Sequence, residues 1–339
     1  MTFEEKVAMA NTMRSRSRVG PVSPEELAVL PGTEKELWIE VADGRKVHLF
    51  EERPDALPEN AALLLNFHGG GFIKGRTDRD RRYCCTLMEQ LNCLVWDVDY
   101  CLAPEQAFPA AVEETYGIIA YASEHAPELG IDPQKILLAG HSAGGNLVAA
   151  ALIKDAEIHR LHPCCALLEY FPVDNTVDPI DRLSPELRAD PFWVKRAQTE
   201  KLYTDFYVGD ADPADPLCSP LKADETALAA FPDCLILSAP FRMVDWSMQN
   251  CAMAWVTYVQ NGASHWCFDG YFRKSPSNYI PSGTNYYYCC AASYCIRGYL
   301  GRMSRCKEAP ALIILSLDAM AQRQNQYGYV PTTPGSEWL

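Results

Sequence analysis

Apolar runs and amphipathic segments alternate along this chain and predict strands and helices in succession. Residues 61–67 are apolar except for Asn66, which is typical of a strand buried on both faces. Similar runs recur at 93–98, 136–139, 164–171 and 234–239, and helical spacing occupies 79–92 and 110–125. This strand-then-helix order indicates a mostly parallel central sheet with helices on both faces.

The segments before this alternation have a different pattern. Residues 1–30 are polar with helical character, and prolines punctuate them. Residues 37–51 alternate around Asp43-Gly44, which predicts a hairpin. The chain opens with acidic residues rather than a basic and then apolar signal peptide, and no apolar run reaches transmembrane length. We therefore expect no membrane insertion.

Composition narrows the classes of partner. The 44 Asp and Glu residues outnumber the 30 Lys and Arg residues, so nucleic acid and anionic membranes are unfavourable partners. Fourteen cysteines without a secretion signal predict reduced thiols in a cytoplasmic protein. The adjacent cysteine pairs lack the two-residue spacing of zinc sites, so the sequence implies no metal and no cofactor. A monomer and a homo-oligomer both stay open.

One predicted strand ends in a tight turn that carries a serine. The apolar run 136–139 leads into Gly140-His141-Ser142-Ala143-Gly144, the pattern G-x-S-x-G, and helix-compatible residues follow. Small neighbours let strand and helix approach closely, and a strained backbone would then expose the Ser142 hydroxyl. We predict that Ser142 is a nucleophile. A plain Gly-Ser turn between a strand and a helix is the alternative.

Three consecutive glycines follow the predicted strand at 61–67. Such a loop gives up backbone entropy, so it favours a function that needs close approach of the backbone. An oxyanion hole has this requirement, and we predict its donors to be the amides of Gly69, Gly70 and Ala143. A merely flexible loop is the alternative. We expect His68 to order the loop and His141 to be a packing residue.

Several motifs in the same order resemble the hormone-sensitive-lipase-like group of α/β-hydrolases, which contains bacterial esterases and acetyl hydrolases. They are His68-Gly69-Gly70-Gly71-Phe72, Asp99-Tyr100-Cys101-Leu102-Ala103-Pro104-Glu105 with Phe108-Pro109-Ala110-Ala111, and Gly140-His141-Ser142-Ala143-Gly144-Gly145-Asn146-Leu147. The resemblance implies an α/β-hydrolase fold with a helical cap. Cys101 departs from it, because the group usually has an arginine there.

The patterns and the resemblance together divide the chain into five parts. Residues 1–35 form an N-terminal cap segment, and residues 36–171 form the hydrolase core. A Pro- and Asp-rich stretch with aromatic residues at 172–216 is predicted as a cap insertion. Residues 217–275 complete the core, and residues 276–339 form an atypical tail of uncertain order, within which residues 285–290 resemble no ordinary core element.

The acid and base of a serine hydrolase should follow the nucleophile in the order Asp or Glu, then His. The carboxylate nearest to the end of the strand at 234–239 is Asp245, and the histidine that follows it is His265. We predict these two residues as acid and base. Asp245 follows the strand a few residues later than the resemblance implies. The gap between Asp245 and His265 is shorter than the resemblance implies.

The composition changes from residue 240 onward. The last 100 residues contain 5 of the 44 acidic residues, but 10 of the 17 tyrosines and 6 of the 14 cysteines. A shifted reading frame joins the third base of each codon to the first two bases of the next codon. In that frame, the codons for residues 242–272 permit Asp-Gly-Gly-Leu-Val-Asp-Ala-Glu-Leu and then Lys-Arg-Gly-Val-Pro-Leu-Val-Leu-Arg-Arg. That reading resembles the acid turn, helix and strand of the group.

Our hypothesis is that the gene slipped frame near Ala239 and that the native last strand, helix and catalytic histidine are missing. The alternative is a divergent native C-terminus. It is supported by four apolar residues on one face of a helix that Asn261-Gly262 could end, namely Met248, Cys251, Trp255 and Val259.

The resemblance implies hydrolysis of a short-chain carboxylic ester through an acyl-enzyme formed on Ser142. The expected partner is therefore a small-molecule ester. The alternative from another class is a non-catalytic or inactivated hydrolase-fold protein that binds a small ligand under its cap.

Overall fold

A computed structural model of the protein describes residues 1–15, 22–238 and 266–269. Its centre is an eight-stranded sheet with the order β1-β2-β4-β3-β5-β6-β7-β8. The strands are Thr33–Glu40 (β1), Lys46–Arg53 (β2), Ala61–Phe67 (β3), Leu94–Val98 (β4), Ile131–His141 (β5), Cys165–Glu169 (β6), Asp233–Ser238 (β7) and Trp266–Asp269 (β8). In this sheet order, every neighbouring pair from β4 through β3, β5, β6 and β7 to β8 is parallel. Strand β2 pairs antiparallel with both β1 and β4.

Helices cover the sheet and form the segments outside it. They are Phe3–Ser15 (α1), Pro24–Ala28 (α2), Asp78–Leu91 (α3), Ala110–His125 (α4), Ala143–Asp155 (α5), Pro185–Arg188 (α6), Pro191–Val208 (α7) and Glu225–Ala229 (α8). Two short 3-10 turns lie at Pro179–Arg182 and Pro220–Lys222.

The predicted alternation of strands and helices is confirmed. The seven residues of β3 are all buried, which matches the apolar run from which the strand was predicted. The hairpin turns at Asp43-Gly44, where Gly44 has a φ of 82°. Helices α3 and α4 lie within one residue of their predicted bounds. The fold class, a mostly parallel sheet with helices on both faces, is the one expected.

Two apolar clusters flank the sheet. One contains Leu63, Leu65 and most of the buried face of α5, and the other contains Leu64, Leu137 and the buried face of α3. Successive residues of a strand point to opposite faces, so each central strand contributes to both clusters. Helix α5 is nearly all buried, which fixes the position of its first residues against the sheet.

The predicted cap insertion contains α6 and α7, and the predicted N-terminal cap segment contains α1 and α2. No helix among the described residues is long and apolar enough to span a membrane. The eight cysteines between residues 84 and 234 are free thiols.

Candidate active site

Ser142 lies between β5 and α5 with a backbone of φ 53° and ψ −121°. Positive φ is unusual for a residue with a side chain, and it turns the chain sharply between strand and helix. The Ser142 amide donates to the Glu169 carbonyl at 2.8 Å, which ties the turn to the end of β6. The predicted strand, tight turn and helix are therefore confirmed.

The elbow glycines allow the turn to pack against the sheet. A Cβ on Gly144 would lie 1.9 Å from the Phe67 carbonyl oxygen, and one on Gly140 would lie 2.6 Å from Gly144. A side chain at Gly145 would meet the Phe171 Cβ at 2.7 Å. These positions have no room for a methyl group, so the pattern of small residues follows from packing.

Strand register brings the glycine loop to the serine. Phe67 of β3 pairs in parallel with Gly140 of β5, so Gly69 and Ser142 each lie two residues beyond the pair. A Cβ on Gly69 would lie 2.9 Å from the His141 ring, which is a direct contact between loop and elbow. Both segments thus leave the sheet side by side at the carboxyl ends of parallel strands, where α/β proteins bind ligands.

Gly69 departs from its predicted role. Its amide donates to His141 Nε2 at 2.9 Å, so the single N–H is already engaged within the protein. Within residues 1–15, 22–238 and 266–269, the amides of Gly70, Gly71 and Ala143 have no protein acceptor. Those three amides, and not that of Gly69, are the donors free to meet an oxyanion. Gly71 was not predicted as a donor from the sequence, although its position in the run of three glycines could have indicated it.

Backbone conformation explains why glycines occupy this loop. Gly70 has a φ of 136° and Gly71 a φ of 62°, both in the region that residues with side chains avoid. A Cβ on Gly70 would lie 2.6 Å from the Lys74 carbonyl oxygen. The loop then turns back through hydrogen bonds from the Ile73 and Lys74 amides to the Gly70 carbonyl.

His68 orders the loop, as expected. The ring is fully buried, stacks on Tyr100 at 4.3 Å and lies with Nδ1 2.8 Å from the Gly69 carbonyl oxygen. Its Nε2 is 3.3 Å from Asp99 Oδ1. Burial lowers the pKa of His68, but the nearby carboxylates, Asp99 first, outweigh it and raise that pKa.

Asp99 is the anchor behind His68. It contacts His48 Nδ1 at 3.1 Å and accepts the Arg76 amide at 3.1 Å. Burial alone would raise the pKa of Asp99, yet the hydrogen bonds from His68 and Arg76 lower it to about 2. The carboxylate therefore stays charged and holds the ring that orders the glycine loop.

Helices α1 and α7, from the two predicted cap segments, contact the glycine loop at residues 69–71 or the two residues that follow it. The Tyr203 ring of α7 lies 2.6 Å from where a Gly71 Cβ would stand, and Tyr207 stacks on Phe72 at 3.6 Å. Arg14 of α1 donates to the Ile73 carbonyl at 2.6 Å and pairs with Glu105. Tyr203 is one of the aromatic residues of the predicted cap insertion, whereas no pattern in the sequence indicated Arg14.

Comparison with known proteins decides the family. Residues 64–259, more than half of the chain, match the family described as having the alpha/beta hydrolase fold. The chain belongs to that α/β-hydrolase family. The predicted hormone-sensitive-lipase-like group is thereby confirmed, and the relatives below agree with it.

Several relatives of this α/β-hydrolase have hydrolase or esterase names. An acetyl esterase of Salmonella schwarzengrund is 35% identical over 126 residues, covering 37% of this chain and 39% of the relative. An AB hydrolase superfamily protein of Schizosaccharomyces pombe is 29% identical over 231 residues, covering 68% of this chain and 67% of the relative. An arylesterase of Saccharolobus solfataricus is 34% identical over 191 residues, covering 54% of this chain and 58% of the relative. The chain thus spans about three fifths of the arylesterase's length.

A solved esterase structure from the hyperthermophilic archaeon Pyrobaculum calidifontis has the same fold. Its TM-score is 0.67 at 24% identity, and the match covers 90% of this chain and 93% of the esterase. At this identity the likeness concerns the fold alone.

The predicted acid and base of this α/β-hydrolase, Asp245 and His265, lie outside the described residues. Strand β7 ends at Ser238 and points its carboxyl end toward the same edge of the sheet as Ser142. Strand β8 begins at Trp266, and its amino end lies at the opposite edge. A base brought to Ser142 by β8 would follow Asp269, and residues 270–339 contain no histidine.

Proposed function

We propose that this protein is a serine carboxylic ester hydrolase that works through an acyl-enzyme on Ser142. The single observation that carries the proposal is the serine elbow packed beside a glycine loop, with three amides that have no acceptor among the described residues. The names of the relatives, arylesterase and acetyl esterase, support the same reaction class.

In the proposed reaction, Ser142 Oγ attacks the ester carbonyl carbon, and the amides of Gly70, Gly71 and Ala143 hold the oxygen that becomes negative. The alcohol then leaves with a proton, and water releases the acid from the serine. Ala143 is the first residue of α5, so its amide adds the positive end of the helix to the charge stabilisation. One such donor is typically worth about 3 kcal/mol in the transition state.

Proton transfer is the second requirement of this reaction. His68 is unsuited to supply it, because the ring is fully buried and its two nitrogens contact Gly69 and Asp99. His141 Nε2 is engaged by the Gly69 amide and lies 3.5 Å from Asp80. Asp245 and His265 stay the acid and base that the sequence predicts, although His265 directly precedes β8 in the chain and the amino end of β8 lies at the sheet edge opposite to Ser142. Without a base, the oxyanion donors and substrate binding alone would still give about 10³-fold acceleration over water.

We further propose a preference for short acyl chains. Tyr203 lies on Gly71, and the Phe72–Tyr207 stack stands at the end of the loop. These rings limit the space above the donors that hold the oxyanion. The name of one relative, the acetyl esterase, supports the same preference.

Turnover of p-nitrophenyl acetate tests the reaction class. We expect hydrolysis that Ser142→Ala lowers by about 10³-fold or more, while Ser15→Ala, at an exposed serine of α1, leaves the rate unchanged. His265→Ala separates the two readings of the base: a large loss supports the in-frame pair, and an unchanged rate removes His265 from the mechanism. Hydrolysis that survives Ser142→Ala would overturn the proposal.

A series of acetate, butyrate and octanoate esters tests the acyl preference. We expect kcat/KM to fall with chain length, and Tyr203→Ala to improve octanoate relative to acetate by about tenfold. Phe192→Ala, at an exposed aromatic residue of the same helix, is the matched control and should leave the ratio unchanged. A ratio that Tyr203→Ala does not move would contradict the role of that ring.

A further inference from the structure

Two imidazole rings hold the two backbone polar groups of Gly69. His68 Nδ1 lies 2.8 Å from the Gly69 carbonyl oxygen, and His141 Nε2 lies 2.9 Å from the Gly69 amide nitrogen. The Gly69 carbonyl and the Gly70 amide share one planar peptide and point in opposite directions. Fixing Gly69 therefore aims the Gly70 amide, which is one of the proposed oxyanion donors.

His141 Nε2 has a second partner. Asp80 Oδ1 of α3 lies 3.5 Å from it, and both side chains are mostly buried, 18% and 14% exposed. The two contacts make opposite demands on one atom. An amide N–H needs the lone pair of an unprotonated Nε2, whereas a carboxylate needs a proton on that nitrogen. The 2.9 Å contact with Gly69 therefore belongs to the neutral ring with Nε2 unprotonated.

Asp80 is well placed for the alternative contact. Its other oxygen, Oδ2, accepts from the Thr77 amide and hydroxyl at 2.8 and 2.7 Å at the start of α3. Burial would raise the pKa of Asp80, but the hydrogen bond and charge of a protonated His141, the charge of His68 and the hydrogen bonds from Thr77 lower it below its ordinary value. The carboxylate is thus charged and held rigidly beside the ring.

Other titratable groups face His141 from the neighbouring elements. Tyr83 of α3 is 5.8 Å from its ring centroid, and its hydroxyl donates to Glu169 Oε1 of β6 at 2.5 Å. Tyr170, which follows β6, is 6.2 Å from the ring, and His68 contributes charge on the side of Asp80. Among these groups, Asp80 is the carboxylate with an oxygen 3.5 Å from Nε2, so it is the one that competes for that nitrogen.

We propose that His141 is a positioning residue for the oxyanion loop and that its protonation releases the loop. When neutral, the ring accepts the Gly69 amide and holds the Gly70 amide toward the acyl carbonyl. When protonated, Nε2 donates to Asp80 and no longer accepts from Gly69. A fall in pH would therefore displace the Gly70 amide from the acyl carbonyl through protonation of His141. The effect on catalysis rests on the proposed function, whereas the exchange of partners does not.

Nuclear magnetic resonance can observe this exchange directly. His68–Gly69 is the only His-Gly pair in the sequence, so carbonyl-¹³C histidine with ¹⁵N glycine gives a single cross peak in an HNCO spectrum. We expect the Gly69 amide resonance to shift as the pH falls from about 8 to about 5, the range in which histidines gain charge. Its midpoint should equal that of the His141 ring.

Three variants make this test decisive. In His141→Gln the amide oxygen accepts from Gly69 at every pH, so the Gly69 shift should lose its titration. Asp80→Asn removes the carboxylate that favours the charged ring, so the midpoint should move to lower pH. His125→Gln, at a ring that contacts Tyr121 instead, is the matched control and should titrate as the parent does. A Gly69 resonance that does not titrate in the parent, or still titrates in His141→Gln, would overturn the proposal.

Activity provides a second readout. We expect the ratio of kcat at about pH 8 to kcat at about pH 5 to be about tenfold smaller in His141→Gln than in the parent, since a misplaced donor slows the chemical step. An unchanged ratio with a lost Gly69 titration would reject the catalytic consequence and keep the exchange. Absence of any hydrolysis would reject the proposed function alone, because the Gly69 resonance is measured without substrate.

Discussion

The carboxyl ends of β3 and β5 differ from those of β7 and β8. At the first pair, register, glycine packing and two histidine contacts all bring the loop and the elbow together. At the second pair, the sequence offers Asp245 as the nearest carboxylate after β7 and no histidine after β8. The half of the proposed site that would hold an acyl group is strongly specified by packing, and the half that would move protons is not.

This difference indicates that acyl capture and proton transfer in a serine hydrolase depend on different structural constraints. Capture of the acyl group requires backbone amides and small residues that the packing of the sheet itself enforces. Proton transfer requires two side chains from later connections, and a change in those connections leaves the sheet intact. A chain can therefore keep the family fold and the first half while the second half changes.

The largest expected effect comes from restoring the second half. If the gene slipped frame near Ala239, the protein read in the restored frame regains the native acid turn and histidine. We expect it to hydrolyse p-nitrophenyl butyrate at least about 10³-fold faster than the present 339-residue protein, because the base and the acid act as one unit with the serine.

Sequencing the gene across codons 235–245 is the control for this comparison. The match to the family runs to residue 259, beyond the point of the slip, which favours the divergent native C-terminus. An uninterrupted frame in close relatives, or a restored protein that is no faster, would remove the slip hypothesis.

A smaller but still large effect is expected where the first half is packed most tightly. Gly144→Ala would bring a methyl group 1.9 Å from the Phe67 carbonyl oxygen, so β3 and α5 must separate. We expect the free energy of unfolding to fall by more than about 3 kcal/mol, measured by urea denaturation. Gly75→Ala is the control, because its methyl group meets Asp99 at an ordinary 3.4 Å. Equal stabilities of the two variants would contradict the packing argument.

The smallest of these effects concerns Asp99 behind the loop. Its pKa is lowered to about 2 in the folded protein, so its stabilising contribution is present above the ordinary pKa and is lost as the pH falls toward 2. We expect Asp99→Asn to lower the free energy of unfolding by about 2 kcal/mol near pH 7, by about half as much near pH 3, and by still less near pH 2.

The matched control for Asp99 is Asp43→Asn, at an exposed carboxylate of the hairpin turn. Exposed ion pairs are worth little, so we expect a change below about 1 kcal/mol. An Asp99→Asn effect that is the same near pH 7 and near pH 3 would show that the lowered pKa is not its source.

The sequence predicted the sheet and the elbow well because local patterns determine them. The apolar run of β3 and the G-x-S-x-G turn each need only their own residues to be recognised. The engagement of Gly69 by His141 could not be predicted in this way, because it depends on the register between β3 and β5. The contacts of Arg14 and Tyr203 likewise join segments far apart in sequence, and no spacing encodes them.

Covalent labelling tests the central claim most directly. A fluorophosphonate reacts with a serine that is accessible, activated as a nucleophile and placed beside oxyanion donors, and peptide mass spectrometry then identifies the modified residue. We expect one phosphonate per chain on Ser142, and none in Ser142→Ala. A label on another serine, or equal labelling of parent and Ser142→Ala, would contradict the proposal that the elbow and the glycine loop together capture an acyl group.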